Sequence, residues 1–218
     1  KYILDTQTQS RLQNELLPRL FSGPQDGGFR FFLKRGESYF FGATPEMLFR
    51  KVGSKLLVPA IAGTRPLPSG ETNAIEQELL HDPKELAEHR FVVQGIVETL
   101  RGLGLEPTHS NHPQILRLRS LIHLYTPISA NAGAVSADRI LNALHPTAAV
   151  GGYPPKQAQE FLRSHEPLNR GLFAGPLLFR EAEQEVCLVG IRSGLFEGGE
   201  LRLFAGAGYV FGSNWEKE

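Results

Sequence analysis

Residues 82–89 read Asp82-Pro83-Lys84-Glu85-Leu86-Ala87-Glu88-His89, followed by the apolar positions Val92, Val93, Ile96, Val97 and Leu100. Aspartate is a good N-cap, proline suits the first helical position, and Glu85 completes a capping-box pattern. The apolar spacing predicts a helix over 83–101, stopped by Gly102 and Gly104. On either side the pattern changes. Residues 10–20 read as a further helix with Leu12, Leu16, Leu17 and Leu20 on one side. Residues 29–33 and 38–42 flank a polar turn and read as a hairpin. Residues 44–50 suit either a short helix or a strand. Residues 55–61 are strand-like and end at Ala62-Gly63-Thr64-Arg65-Pro66, before a turn-rich loop at 67–70. Residues 116–128 look extended, 137–143 and 155–164 helical, 186–192 and 201–204 strand-like, and 209–211 extend the last strand. Paired strand runs with helices between them indicate an α+β chain with antiparallel sheets.

The composition narrows the function classes. Lys+Arg and Asp+Glu balance at 23 each, so nothing marks the chain as a nucleic-acid binder. A small anion in a local basic pocket stays compatible with that balance. The single cysteine, Cys187, sits in an apolar run, reads as a buried strand residue, and can form neither an internal disulfide nor a thiolate metal site. A reducing, cytoplasmic setting fits this usage. No apolar run approaches the roughly 18–20 residues of a membrane helix. A start at Lys1 and an end at Glu218 in a charged segment read as an excerpt, residues 1–218 being one catalytic domain of a longer chain.

Several groups could carry chemistry, each with an ordinary alternative. Glu85 and Glu88 share a helix face and suit a hard dication such as Mg²⁺, but acids in a first helical turn also favour the dipole. Gly206, Ala207 and Gly208 could turn backbone N–H groups toward an anion, or simply form a tight turn. Arg192, placed at a strand end, could grip a carboxylate with its fork or lie in solvent. His123, in Leu121-Ile122-His123-Leu124, reads as a core histidine or as a substrate contact. In Leu144-His145-Pro146-Thr147-Ala148-Ala149-Val150-Gly151-Gly152-Tyr153-Pro154, adjacent glycines would let backbone amides approach a bound group.

That last stretch closely resembles the signature of isochorismate synthases, within the chorismate-utilising enzyme superfamily. The Asp82–His89 helix resembles the superfamily's Asp-x-Lys-Glu-x-x-Glu-His segment, and Ala205-Gly206-Ala207-Gly208 its carboxylate loop. The resemblance implies two facing antiparallel sheets with helices outside, and motifs that converge on a cleft. It implies Mg²⁺ as cofactor, with Glu88 as ligand, Glu85 in or next to the ligand shell, and Glu218 as the first acid of a C-terminal pair. It implies chorismate as substrate, contacted by Gly63, Thr64, Thr147, Phe173, Arg192, Gly206, Ala207 and Gly208. His123 would contact it near the ring, and Lys1, in Lys1-Tyr2-Ile3-Leu4, would activate the attacking water.

Two positions depart from the pattern. Phe173 stands where relatives usually have tyrosine, which removes one hydroxyl. Pro59 stands where isochorismate and salicylate synthases place the glutamate that protonates the leaving hydroxyl, and proline has no proton to give. The expected reaction is the Mg²⁺-dependent isomerisation of chorismate to isochorismate, feeding menaquinone or a salicylate-type siderophore. Pro59 keeps other members open: salicylate synthase, the aminating anthranilate and aminodeoxychorismate synthases, or a non-catalytic chorismate-binding relative.

Overall fold

The computed structural model describes residues 2–3, 10–22, 28–67, 72–118 and 120–209. It is an α+β arrangement with two sheets. The strands are β1 (Tyr2–Ile3), β2 (Phe29–Arg35), β3 (Ser38–Thr44), β4 (Met47–Val52), β5 (Lys55–Pro66), β6 (Gln114–Arg117), β7 (Leu121–Asn131), β8 (Pro176–Glu181), β9 (Gln184–Val189), β10 (Ser193–Glu197) and β11 (Glu200–Leu203). The α-helices are α1 (Leu17–Ser22), α2 (Thr72–His81), α3 (Pro83–Gly102), α4 (Ala137–Leu144), α5 (Ala148–Gly151) and α6 (Pro155–His165).

The chain forms two compact units. The first comprises the described residues within Lys1–Glu46, Arg170–Leu177 and Leu188–Gly206. It holds a five-stranded sheet in the order β1-β11-β10-β3-β2, its paired strands antiparallel. Tyr39 stacks on both Phe32 and Phe196 at 5.7 Å, so one aromatic row crosses β2, β3 and β10. Leu12 packs on that row. The segment before α1 differs from the expected regular helix: Leu12–Leu16 is a π turn, in which the Leu17 N–H donates to the Leu12 carbonyl. The five-residue step puts Leu12 and Leu17 on the buried side and turns Leu16 out to 51% exposure.

The second unit comprises the described residues within Met47–Asn169, Leu178–Cys187 and Ala207–Glu218. Most of a six-stranded sheet lies here, in the order β6-β7-β5-β4-β9-β8. The stretch expected to be one strand over 116–128 is two, β6 and β7, paired antiparallel from Gln114↔Tyr125 to Arg117↔Ile122. Helix α2 had no sequence signal strong enough to predict it. It is held by Leu79, which packs on Ile122 and Leu124 of β7. Strand β5 continues past the expected end at residue 61 to Pro66, paired with β7 along its length. Pro59 fits this inner strand because it faces Pro127 and lies beyond the last β4 partner pair, Arg50↔Leu57, where no ladder N–H is required.

Helix α3 supports the sheet. The Asp82 carboxylate accepts from the Lys84 and Glu85 N–H groups, as its cap position predicts. The stripe Val92, Ile96, Val97 and Leu100 is buried. Glu85 does not complete the capping box, because its carboxylate is used elsewhere. Cys187 is fully buried in β9.

Because Leu79 is fully buried where α2 meets β7, Leu79→Ala should cost about 2–5 kcal/mol. Urea unfolding followed by circular dichroism measures this. A loss within experimental error would mean that α2 does not anchor the sheet.

Candidate active site

The site in the second unit starts from one extra residue. The pairing of β5 with β7 shifts between Ala62 and Thr64, so Gly63 is a bulge. Its φ is +77°, and a Cβ there would lie 3.2 Å from Glu85 Cβ, the Glu85 carbonyl oxygen and Glu85 Oε2. Only glycine meets both demands at low cost. The bulge resets the alternation of β5, so that Thr64 sits opposite His123. Thr64 Oγ1 and His123 Nδ1 are 2.9 Å apart. His123 points away from the face that carries Ile122 and Leu124, as strand alternation requires.

Glu85 reaches this bulge from α3 and is buried. Its Oε2 accepts the Thr64 N–H at 3.0 Å, and its Oε1 accepts from Arg65 Nη1 at 2.8 Å and Lys84 Nζ at 3.2 Å. The other Arg65 nitrogen, Nη2, donates to Asp82 Oδ2, so the guanidinium joins the helix cap to the Glu85 carboxylate. A carboxylate so deeply buried needs such compensation to stay ionised. One turn further on, Glu88 lies 3.9 Å from Lys84 Nζ and is partly exposed. Asp82, Glu85 and Glu88 are thus linked to one another through Arg65 and Lys84.

Behind them, His89 Nε2 is 2.8 Å from Thr126 Oγ1 in the core. Burial lowers the His89 pKa to about 4, with the Ala62 backbone opposing the shift. The His89 ring is therefore uncharged at neutral pH.

Thr147 is the N-cap residue of α5, yet its hydroxyl makes no capping bond. Thr147 Oγ1 and the nearby His145 Nδ1 are buried without a hydrogen-bond partner among the described residues. Burial lowers the His145 pKa as well. The adjacent glycines serve a use that sequence reasoning did not assign: a Cβ on Gly151 would meet Pro146 at 2.7 Å, and one on Gly152 would meet Ala158 at 2.6 Å. The room they leave is filled by the protein itself. Tyr153 stacks on Phe91 of α3 at 5.6 Å, which fixes this segment against the helix that carries Glu85 and Glu88.

The remaining predicted residues divide as follows. In the first unit Phe173 stacks on Phe204 at 5.1 Å. Arg192 does not end a strand; it lies between β9 and β10 with φ +50°. Gly206, Ala207 and Gly208 are exposed and irregular, and neither glycine has a positive φ. Tyr209 is in no strand, and positions 210 and 211 lie outside the described residues. Lys1 and Glu218 also lie outside the described residues. Among the described residues no three His, Cys, Asp or Glu side chains form a metal-ligating group. Glu88 and Glu85 supply oxygen donors of the kind that suits a dication that keeps several waters and takes only one or two carboxylates.

Sequence reasoning missed Arg65, His89 and Glu46. The first two were visible as neighbours of predicted motifs, Arg65 following Gly63-Thr64 and His89 following Glu88. Glu46, in the first unit, had no signal. Burial pushes its carboxyl up to about 7.

A family model for chorismate binding enzymes matches residues 3–218. The chain belongs to the chorismate-binding enzyme family. Over 198 residues it is 40% identical to isochorismate synthase MenF of Haemophilus influenzae, covering 88% of this chain and 46% of that protein. It is also 40% identical to the salicylate biosynthesis isochorismate synthase of Pseudomonas aeruginosa over 184 residues, 83% of this chain and 39% of that protein. The solved structure of MenF, the menaquinone-specific isochorismate synthase of Escherichia coli, matches with a TM-score of 0.78 at 34% identity, covering 87% of this chain and 45% of the other. The chain spans less than half the length of these relatives. No described helix is long and apolar enough to cross a membrane.

Two tests follow from this geometry. Gly63→Ala places a side chain at positive φ against Glu85 and should cost about 1–3 kcal/mol, read by urea unfolding; an unchanged midpoint would remove the steric argument. The second concerns pH. Free histidine protonates near 6.5 and folded His89 near 4, so between these values the unfolded chain binds the additional proton. The stability from neutral His89 is complete above pH 6.5 and is lost as pH falls toward 4. His145 acts in the same sense and Glu46 in the opposite one. His89→Gln should therefore remove its share of the slope and leave stability between pH 6.5 and 4 falling less, or rising, as pH falls; a slope equal to that of the wild type would show that His89 does not contribute to it.

Proposed function

We propose that this chain forms the catalytic part of an isochorismate synthase, which isomerises chorismate by adding water at C2 while the C4 hydroxyl leaves. The observation that carries the reading is the set Gly63, Thr64, Glu85 and His123, gathered around one bulge in a member of the chorismate-binding family. The names of the similar proteins from Haemophilus influenzae and Pseudomonas aeruginosa support the same reaction.

In this reading His123 and Thr64 contact the substrate ring. The unspent hydroxyl of Thr147 is a further contact, since a buried hydroxyl gains most from a partner that arrives with the ligand. Arg192 and the 206–208 backbone hold carboxylate groups, and Phe173 offers a ring face in place of a hydroxyl. Lys1 takes a proton from the attacking water, for which its pKa must fall toward neutrality. The leaving hydroxide needs a proton that Pro59 cannot give. Glu88 and Glu218 would hold Mg²⁺, with Glu85 beside them; the ion supplies charge neutralisation at the ring carboxylate. The product would feed menaquinone or a salicylate-type siderophore, and the reaction would run in the cytoplasm.

Incubation of the full-length protein with chorismate and Mg²⁺, without ammonia or glutamine, tests the reading, with products identified by NMR. Isochorismate alone is expected. Salicylate with pyruvate would move the assignment to salicylate synthase, and product only after adding ammonia would move it to an aminating member. Chorismate binding without any product would favour a non-catalytic relative. Glu88→Ala should abolish turnover even in excess Mg²⁺, and a retained steady-state rate would remove Glu88 from the metal site.

A further inference from the structure

Arg65 has no role in the reaction proposed above, yet it joins two carboxylates of the site. One Nη donates to Glu85 Oε1 at 2.8 Å, the other to Asp82 Oδ2, and Nη1 also lies 3.4 Å from the Thr64 carbonyl. A guanidinium can join two carboxylates in fixed directions because its donors form a rigid planar fork, which an ammonium lacks. The Glu85 carboxylate has two oxygens, and Arg65 engages the one that does not hold the Thr64 N–H. With Oε1 fixed by Arg65 and the α3 start fixed by Asp82, Oε2 is confined beneath the Thr64 amide. Thr64 in turn presents its hydroxyl to His123.

We propose that Arg65 is a positioning residue. Its clamp on Asp82 and Glu85 sets the place of the Thr64 backbone, and through the Thr64 hydroxyl it sets the orientation and tautomer of the His123 ring. Glu85 then serves as the anchor of the bulge, and direct coordination of a dication falls to Glu88. The inference rests on the chorismate reading for its catalytic consequence and on the hydrogen-bond chain alone for its structural one.

The test uses the full-length protein and three variants: Arg65→Gln, Arg65→Lys and the double variant Arg65→Gln/Glu85→Gln. Small misplacement of a contact group can lower turnover by roughly 100-fold, and a loss of that order in kcat is expected for Arg65→Gln. The chorismate Kd by calorimetry should stay near wild type, because the residues proposed to hold its carboxylates are untouched. Arg65→Lys should recover only part of the rate, since one ammonium cannot span both carboxylates. Neutralising Glu85 removes the uncompensated buried charge, so the double variant should lose less than the product of the single losses. It also provides a folded protein if Arg65→Gln alone does not fold. Direct readouts are the ¹⁵N shifts of the His123 ring and the exchange rate of the Thr64 amide, both expected to change in Arg65→Gln. Mg²⁺ titration by calorimetry should show weakened binding in Glu88→Gln and none of that loss in Arg65→Gln.

Unchanged His123 shifts, or a loss confined to chorismate Kd with kcat intact, would overturn the proposal. So would a loss of Mg²⁺ affinity in Arg65→Gln equal to that in Glu88→Gln. If the wild-type protein makes no isochorismate, the reaction assignment fails by itself, and the His123 shifts and Thr64 exchange still decide the role of Arg65.

Discussion

The close approach of Gly63 to Glu85 is the constraint on which the bulge of β5 depends. A strand that pairs for its whole length presents side chains in strict alternation. Thr64 faces His123 only because Gly63 adds a residue to β5 without adding one to β7. That bulge survives because a buried carboxylate takes the Thr64 N–H displaced from the regular pattern. The carboxylate survives burial because Arg65 and Lys84 compensate it. Each link removes a cost that the previous one creates. The chemistry of the site and the integrity of the strand therefore share the same few atoms.

The helix that supplies Glu85 was legible because its signals are local. Asp82, Pro83 and the stripe to Leu100 need no distant partner to be recognised, and the structure uses them as read. Glu85 was misread by the same logic. An acid three residues after an N-cap ordinarily turns back to the cap, whereas here Thr64 and Arg65, about twenty residues earlier, take it. Nothing local distinguishes the two outcomes. Strand β5 was cut short for the same reason: a Gly-Thr-Arg-Pro run reads as the end of a strand until β7 is known to lie beside it. Helix α2 was missed because its anchor, Leu79, acquires meaning only against Ile122 and Leu124. The family was legible because a resemblance carries tertiary information that periodicity lacks.

Pro59 illustrates how a residue can be unusual for chemistry and ordinary for structure. Proline in an inner strand removes a ladder donor. Its position opposite Pro127, past the end of the β4 pairing, means that no donor is missed. The sheet therefore accommodates Pro59 without a broken ladder bond. Tolerance by the fold says nothing for or against catalysis.

The first unit holds strain of another kind. Ala174 and Arg192 have positive φ without being glycine, a conformation that costs about 1–2 kcal/mol for an ordinary residue. Both belong to one hydrogen-bonded system. The Ala174 N–H donates to the Gly190 carbonyl, the Gly190 N–H donates to the Gly175 carbonyl, and Ser193 Oγ donates to the Gly190 carbonyl at 3.0 Å. The Arg192 carbonyl accepts from the Ala43 N–H of β3. A turn tied at so many points has no freedom to relax into a cheaper conformation. The strain is stored in the backbone on either side of Gly190, and the hydrogen bonds of the turn hold Arg192 in a conformation that a free loop would leave.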